Sequence, residues 1–130
     1  MIFALAVHGA PYASQSADSA WHFASAVLAA GHEINRVFFY HDGVMSAGDK
    51  FVAPQDQDDA HQKWVELSNT HGVELAICIA AALKRGMLDH DEAERYERTN
   101  PTIDPAFTVV GLGQLIDAVV TCDRFVSFAA

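Results

Sequence analysis

The sequence has few of the features that mark several large classes of protein. Only 2 of its 130 residues are cysteine, too few for a disulfide framework, which predicts free thiols and a reducing, cytoplasmic compartment. There are 8 Lys and Arg against 17 Asp and Glu, and the resulting net charge of −9 argues against direct binding of nucleic acid. No apolar run approaches the roughly 20 residues of a membrane-spanning helix.

Motifs for cofactors and metals are missing as well. The loop "HGAPYAS" lacks the glycines of a dinucleotide-binding turn, and no Walker sequence occurs. No cluster of His, Cys or carboxylate residues has the spacing of metal ligands. We therefore predict no cofactor and no metal. A flavodoxin-like small-molecule binder is the weakest alternative, because the phosphate-binding loop is absent.

The chain does contain an alternation of apolar runs and amphipathic segments, and 51% of its residues are hydrophobic. The apolar run at 2–7, the helical pattern at 16–30 and the run "INRVFFY" at 34–40 predict a βαβ unit with parallel strands. The first run is predicted to be a strand rather than a signal peptide.

The rest of the chain repeats this alternation after a turn-rich loop at 41–55. The further predicted elements are a helix at 56–71, a strand at 73–79, helices at 80–86 and 89–98, a short strand at 107–111, a helix at 112–121 and a last strand at 124–128. Such an order predicts an α/β fold in a single domain, residues 1–130. We expect a flavodoxin-like, three-layer sandwich around a mostly parallel sheet of about five strands.

The two cysteines differ in what their positions predict. Cys78 is expected at the carboxyl end of a strand and directly before a helix, where reactive groups collect and where a thiolate is favoured. Cys122 is expected after a helix, beside Asp123 and at the opposite edge of the sheet, too far away for a disulfide. Free cysteine is often a buried apolar filler. Both interpretations stay open for Cys78, whereas the filler is favoured for Cys122.

The first two predicted strands end in residues that should reach the edge that carries Cys78. We expect His8, Tyr12, Tyr40 and His41 to be able to line one pocket there. His8 is a candidate for orienting a bound sulfur species or stabilising a thiolate, as imidazoles do beside reactive cysteines.

Five segments share their sequence and order with a known family. They are the opening strand with "GAPY", then "VFFYHDGV", "ICIAAALKRG", "GLGQL" and "TCDRFVSF". On these segments the chain resembles the DsrE/TusD family of small sulfur-relay proteins, and within it the DsrE type. The resemblance covers essentially the whole chain.

The resemblance implies a sulfurtransferase that holds sulfane sulfur as a persulfide on Cys78, without a metal or cofactor. It implies transfer to a cysteine of a small DsrC-like or TusE-like acceptor. It also implies two smaller homologous subunits, DsrF-like and DsrH-like, in a dimer of heterotrimers.

Two alternatives stay open beside this interpretation. Dissimilatory sulfur oxidation is the favoured pathway, and a TusD-like relay toward 2-thiouridine in tRNA is the alternative. The alternative from another class is a non-catalytic structural subunit in which Cys78 only fills the core.

Overall fold

The computed structural model describes all 130 residues and contains one five-stranded sheet. Its strands, in chain order, are β1 (Ile2–Val7), β2 (Glu33–Phe39), β3 (Glu74–Cys78), β4 (Phe107–Val110) and β5 (Arg124–Phe128). Their spatial order is β4-β3-β2-β1-β5, and every neighbouring pair is parallel. The predicted α/β fold with a parallel sheet of five strands is confirmed.

Helices cover the two faces of the sheet. They are α1 (Ser16–Ala29), α2 (Ala60–His71), α3 (Ile79–Lys84), α4 (His90–Arg95) and α5 (Gly113–Thr121), with a 3₁₀-helix at His41–Ala47. Phe39 of β2 contacts Trp64 of α2 edge-on at 5.2 Å, whereas Arg36 of the same strand bonds to α5. Because positions 36 and 39 of a strand point to opposite faces, α2 and α5 lie on opposite sides of the sheet. None of the helices is both long and apolar enough to cross a membrane.

The core lies where the three central strands meet the helices. Leu5, Val37 and Leu75 stand opposite one another on β1, β2 and β3 and are at most 1% exposed. Trp64 packs against Phe39 on the same side and is also buried. Strands covered on both faces need apolar runs, and β1 is one throughout, whereas β2 and β3 show one in their carboxyl-terminal parts.

Two predicted helix boundaries are wrong. Helix α2 begins at Ala60 rather than near residue 56, because the carboxylate of Asp59 accepts a hydrogen bond from the N–H of Gln62 at 3.1 Å and caps the helix there. Helix α4 ends at Arg95 rather than at residue 98, because the backbone turns left-handed at Glu97, with φ of 56°.

The segment after β2, which was predicted as a loop throughout, forms the 3₁₀-helix His41–Ala47. The side chains of Val44 and Ala47 are fully buried in the main core. This tertiary burial stabilises a short helix in a segment whose glycines and polar residues indicate a turn.

Polar side chains of β2 bond helix α5 to the sheet. A bulge in β2 lets both Asn35 and Arg36 reach α5. Asn35 donates to the carbonyl of Ala118 at 3.2 Å, and Arg36 donates to the carbonyl of Gln114 at 2.7 Å. Arg36 is also paired with Glu74 at 2.8 Å. Since Ala118 is the only buried residue of α5, the apolar side chains of this helix remain largely uncovered.

Candidate functional site

Three adjacent strands bring His8, Tyr40 and Cys78 to the same level at the carboxyl edge of the sheet. The strands β1, β2 and β3 are paired in register up to this edge. Neighbouring strands lie about 4.8 Å apart, which places the Cα atoms of His8 and Cys78 about 10 Å from each other. Ligands of open parallel sheets bind outside this carboxyl edge of the strands.

Cys78 is the last residue of β3 and the N-cap residue of α3, with φ of −68° and ψ of 120°. Its side chain makes no capping hydrogen bond and is free of any disulfide. The residue is only 3% exposed. Very little of the residue is therefore accessible to a reagent in the folded chain.

The 3₁₀-helix His41–Ala47, which we call the cover, packs against both β3 and α3. Its residues Val44 and Ala47 belong to the same hydrophobic cluster as Cys78. The cover is therefore one of the segments that separate this end of β3 from solvent.

An ion pair fixes the cover to the end of α3. Nε of Arg85 donates to the carboxylate of Asp42 at 2.8 Å, and its Nη1 donates to the carbonyl of Ala81 at 3.0 Å. This pair is not among the residues predicted from the sequence. Its partners are 43 residues apart, so no local pattern indicates it.

His8, Tyr40 and His41 form an aromatic cluster at the same edge. The ring of His8 lies 5.8 Å from that of Tyr40 and 5.4 Å from that of His41, and the rings of Tyr40 and His41 are 4.2 Å apart. His41 has a left-handed backbone, with φ of 50°, which is uncommon for a residue with a side chain. Burial and then the neighbouring His41 lower the pKa of His8 below its ordinary value of 6.5. His8 is therefore neutral at pH 7.

The lowered pKa of His8 predicts a pH dependence of stability. The unfolded chain protonates His8 near pH 6.5, and the folded chain does so only at lower pH, so protonation favours unfolding as the pH falls below about 6.5. We expect His8→Gln to lose less of its free energy of unfolding than the wild type between about pH 7 and pH 5.5. Urea denaturation at both pH values measures this. The exposed His90→Gln variant should behave as the wild type, and an equal loss in His8→Gln would contradict the prediction.

Tyr12 lies apart from this aromatic cluster. Its hydroxyl donates to the carbonyl of Asp58 at 3.1 Å and accepts from the N–H of Ala60 at 3.0 Å. The ring lines a cavity of about 720 Å³ beside the first residues of α1 and α2. This cavity is not lined by His8, Tyr40 or His41. Tyr12 thus anchors the start of α2.

Cys122 directly follows α5 and precedes β5, at the amino-terminal end of that strand. Its sulfur donates to the carbonyl of Val119 at 3.3 Å, and it is also free of any disulfide. The two thiols therefore lie at opposite ends of the parallel sheet. No group of three or more His, Cys, Asp or Glu side chains is placed to hold a metal ion.

Comparison with known proteins shows the family of the chain. Residues 1–128 match the DsrE/DsrF-like family. The chain belongs to this family. Within it, a protein named sulfurtransferase TusD from Klebsiella pneumoniae is 47% identical over 128 residues, which cover 98% of this chain and all of the relative. The protein called DsrE in Allochromatium vinosum is 44% identical, covering 98% of both chains.

Solved structures agree with this membership at the level of the fold. The YchN protein of E. coli superposes with a TM-score of 0.78 and 22% identity, covering 98% of this chain and 99% of YchN. A conserved protein from Bacteroides thetaiotaomicron superposes with a TM-score of 0.60 and 12% identity, covering 97% of this chain and 93% of that chain. The chain therefore has the fold of a DsrE-like protein along its whole length.

Proposed function

We propose that this sulfurtransferase carries sulfane sulfur as a persulfide on Cys78 and passes it to a cysteine of a small acceptor protein. The observation that carries the proposal is the position of Cys78. Of the two cysteines, it alone lies at the carboxyl edge of the sheet, at the start of a helix and level with His8 on a nearby strand. Membership in the DsrE/DsrF-like family supports sulfur transfer by a cysteine.

The relay consists of two substitutions at sulfur. The thiolate of Cys78 attacks a polysulfide, an S–S bond of the polysulfide breaks, and the chain shortened by one sulfur leaves. The acceptor thiolate then attacks the terminal sulfur of the Cys78 persulfide, and Cys78 leaves as a thiolate. Neither step needs an oxidant or a reductant, because each breaks one S–S bond and forms another.

His8 is our candidate for the proton transfer that this chemistry requires. A thiol must lose its proton before it attacks, and a neutral imidazole accepts a proton at pH 7. Because its pKa is lowered, His8 is in this neutral form. Tyr40 and His41, whose rings contact that of His8 or each other, are candidates for contacts with the terminal sulfur.

The test is exposure of the purified chain to inorganic polysulfide, followed by intact-protein mass spectrometry and peptide mapping. We expect the mass to increase by one sulfur atom and the adduct to lie on the peptide that contains Cys78. Cys122 is the internal control. An adduct only on Cys122, or none at all, would contradict the proposal.

For the acceptor we propose a DsrC-like protein of dissimilatory sulfur oxidation in the cytoplasm, where thiols stay reduced. The second candidate is a TusE-like acceptor that leads to 2-thiouridine in tRNA, and it is favoured by the TusD relative. Offering both acceptors in equal amounts to the persulfide form distinguishes the two pathways, because the physiological acceptor should gain sulfur first.

For the oligomer we propose contacts with two smaller homologous subunits through α5 and β5. Their outer surface carries large, exposed apolar side chains: Leu112, Ile116, Val119, Val120 and Phe125. Phe125 lies on β5, which is an edge strand with free backbone groups. A surface of this kind fits a stable interface with another chain.

Glutamate substitutions on this surface are expected to prevent binding of the partner subunits. We predict that Ile116→Glu and Val120→Glu, together, abolish copurification of co-expressed DsrF-like and DsrH-like subunits while the chain itself stays folded. Val52, which is 92% exposed and lies outside α5 and β5, provides the matched control Val52→Glu. Copurification that survives the double substitution would show that the partners bind elsewhere.

A further inference from the structure

A groove of about 480 Å³ lies at the carboxyl-terminal end of α3, the helix that begins after Cys78. Apolar and basic side chains share its walls, which are formed by Leu83, Lys84, Gly86, Leu88, Tyr96 and Arg98. Tyr96 is 48% exposed, and Leu88 is buried. The groove thus offers an apolar base beside two positive charges.

These two positive charges are unusual in this chain. Five of its 8 Lys and Arg residues have a carboxylate within 4.0 Å. The other three are Lys84, Arg98 and Arg124, and the first two line the groove. In a chain with 17 Asp and Glu, two cations without a carboxylate partner on one groove provide local charge complementarity for an acidic ligand.

The groove is also at a defined distance from the thiol. Helix α3 has six residues and rises about 1.5 Å per residue, so Lys84 lies about 9 Å from Cys78 along the helix axis. An extended chain spans this distance with about three residues. A bound segment could therefore place a cysteine next to Cys78 while its acidic residues occupy the groove.

We propose that this groove binds an acidic segment of the protein that exchanges sulfur with Cys78, with apolar residues against Tyr96 and carboxylates on Lys84 and Arg98. This inference rests on the proposed function for the identity of the partner. The acidic residues of the segment lie about three to five positions from its reactive cysteine, because three extended residues are the minimum that spans the distance. The groove then sets which thiol attacks the persulfide, because it raises the local concentration of acidic partners.

The test uses two synthetic cysteine peptides, EELGSC and its neutral counterpart QQLGSC. Each is mixed with the persulfide form of the chain, and mass spectrometry follows the sulfur gained by the peptide thiol. In the measured step the peptide thiolate attacks the terminal sulfur and Cys78 leaves as a thiolate. We expect EELGSC to gain sulfur about fivefold faster than QQLGSC at low salt, with the advantage lost at high salt.

Charge-removing variants locate the effect. With the double variant Lys84→Gln and Arg98→Gln, the two peptides should react at nearly equal rates. The control variant Arg124→Gln removes a cation outside the groove, so EELGSC should still react faster than QQLGSC. Each variant is first loaded with inorganic polysulfide, and the rates of the two peptides are compared within the same loaded variant. Equal rates of both peptides with the wild type, or an equal effect of Arg124→Gln, would overturn the proposal.

A binding measurement separates this inference from the proposed function. Fluorescence anisotropy of labelled EELGSC needs no persulfide, so it tests the groove even if Cys78 fails to take up sulfur. If the double variant Lys84→Gln with Arg98→Gln binds EELGSC more weakly than the wild type, the groove is supported in either case. No binding of EELGSC above that of QQLGSC would overturn it, and failure of Cys78 to load would overturn only the sulfur-carrier role.

Discussion

Replacing Cys78 by serine is expected to abolish the gain of sulfur from polysulfide, whereas Cys122→Ser should gain as much sulfur as the wild type. The attacking group in sulfur transfer is a thiolate, and a serine hydroxyl neither ionises near neutral pH nor forms a stable bond of this kind. Cys122 lies at the other end of the sheet, after α5, and has no part in the predicted chemistry. Intact-protein mass spectrometry of both variants measures the difference.

The control for this experiment is the folded state of the variant. Because Cys78 is 3% exposed, a serine there buries a hydroxyl, and an unpaired buried hydroxyl costs about 1–3 kcal/mol. Cys78→Ala removes the thiol without adding a polar group and serves as the second variant. We expect both to melt cooperatively and to gain no sulfur. Sulfur gain by either folded variant would show that the carrier is another residue.

Most of the fold could be predicted because its strands and helix ends follow from local sequence patterns. The strand β1 is a continuous apolar run, and β2 and β3 each contain one. Glycines with left-handed backbones follow three of the helices: φ is 88° at Gly31, 69° at Gly72 and 71° at Gly86. The start of α2 was misplaced because several aspartates precede it, any of which could cap a helix. Only the hydrogen bond from Gln62 selects Asp59.

The candidate site was predictable only where it depends on the order of elements. A strand that passes directly into a helix places Cys78 at the carboxyl edge, and the same rule brings His8, Tyr40 and His41 together there. The position of Tyr12 depends on hydrogen bonds to the distant start of α2. The pairing of Arg85 with Asp42 and the burial of Cys78 under neighbouring elements are likewise tertiary features, without a local signal in the sequence.

Replacing Gly43 by alanine is expected to destabilise the chain by about 2–3 kcal/mol, because the cover rests directly on the end of β1. A Cβ atom at Gly43 would overlap the carbonyl oxygen of Val7 and lie 2.8 Å from its carbon. That carbonyl already accepts a hydrogen bond from the N–H of Tyr40 at 3.0 Å, so it cannot turn away without breaking the bond. Urea denaturation measures the loss of stability.

The same substitution tests whether the cover keeps reagents from Cys78. If Gly43→Ala displaces the cover, alkylation of Cys78 in the folded protein should become severalfold faster, while alkylation of Cys122 should not change. Gly111→Ala is the matched control, because a Cβ atom there meets no atom within 4 Å. A destabilised Gly43→Ala protein with unchanged alkylation of Cys78 would assign the burial of the thiol to β4 and α3 instead. Faster alkylation would mean that an acceptor protein must move the cover before its thiol can reach the persulfide.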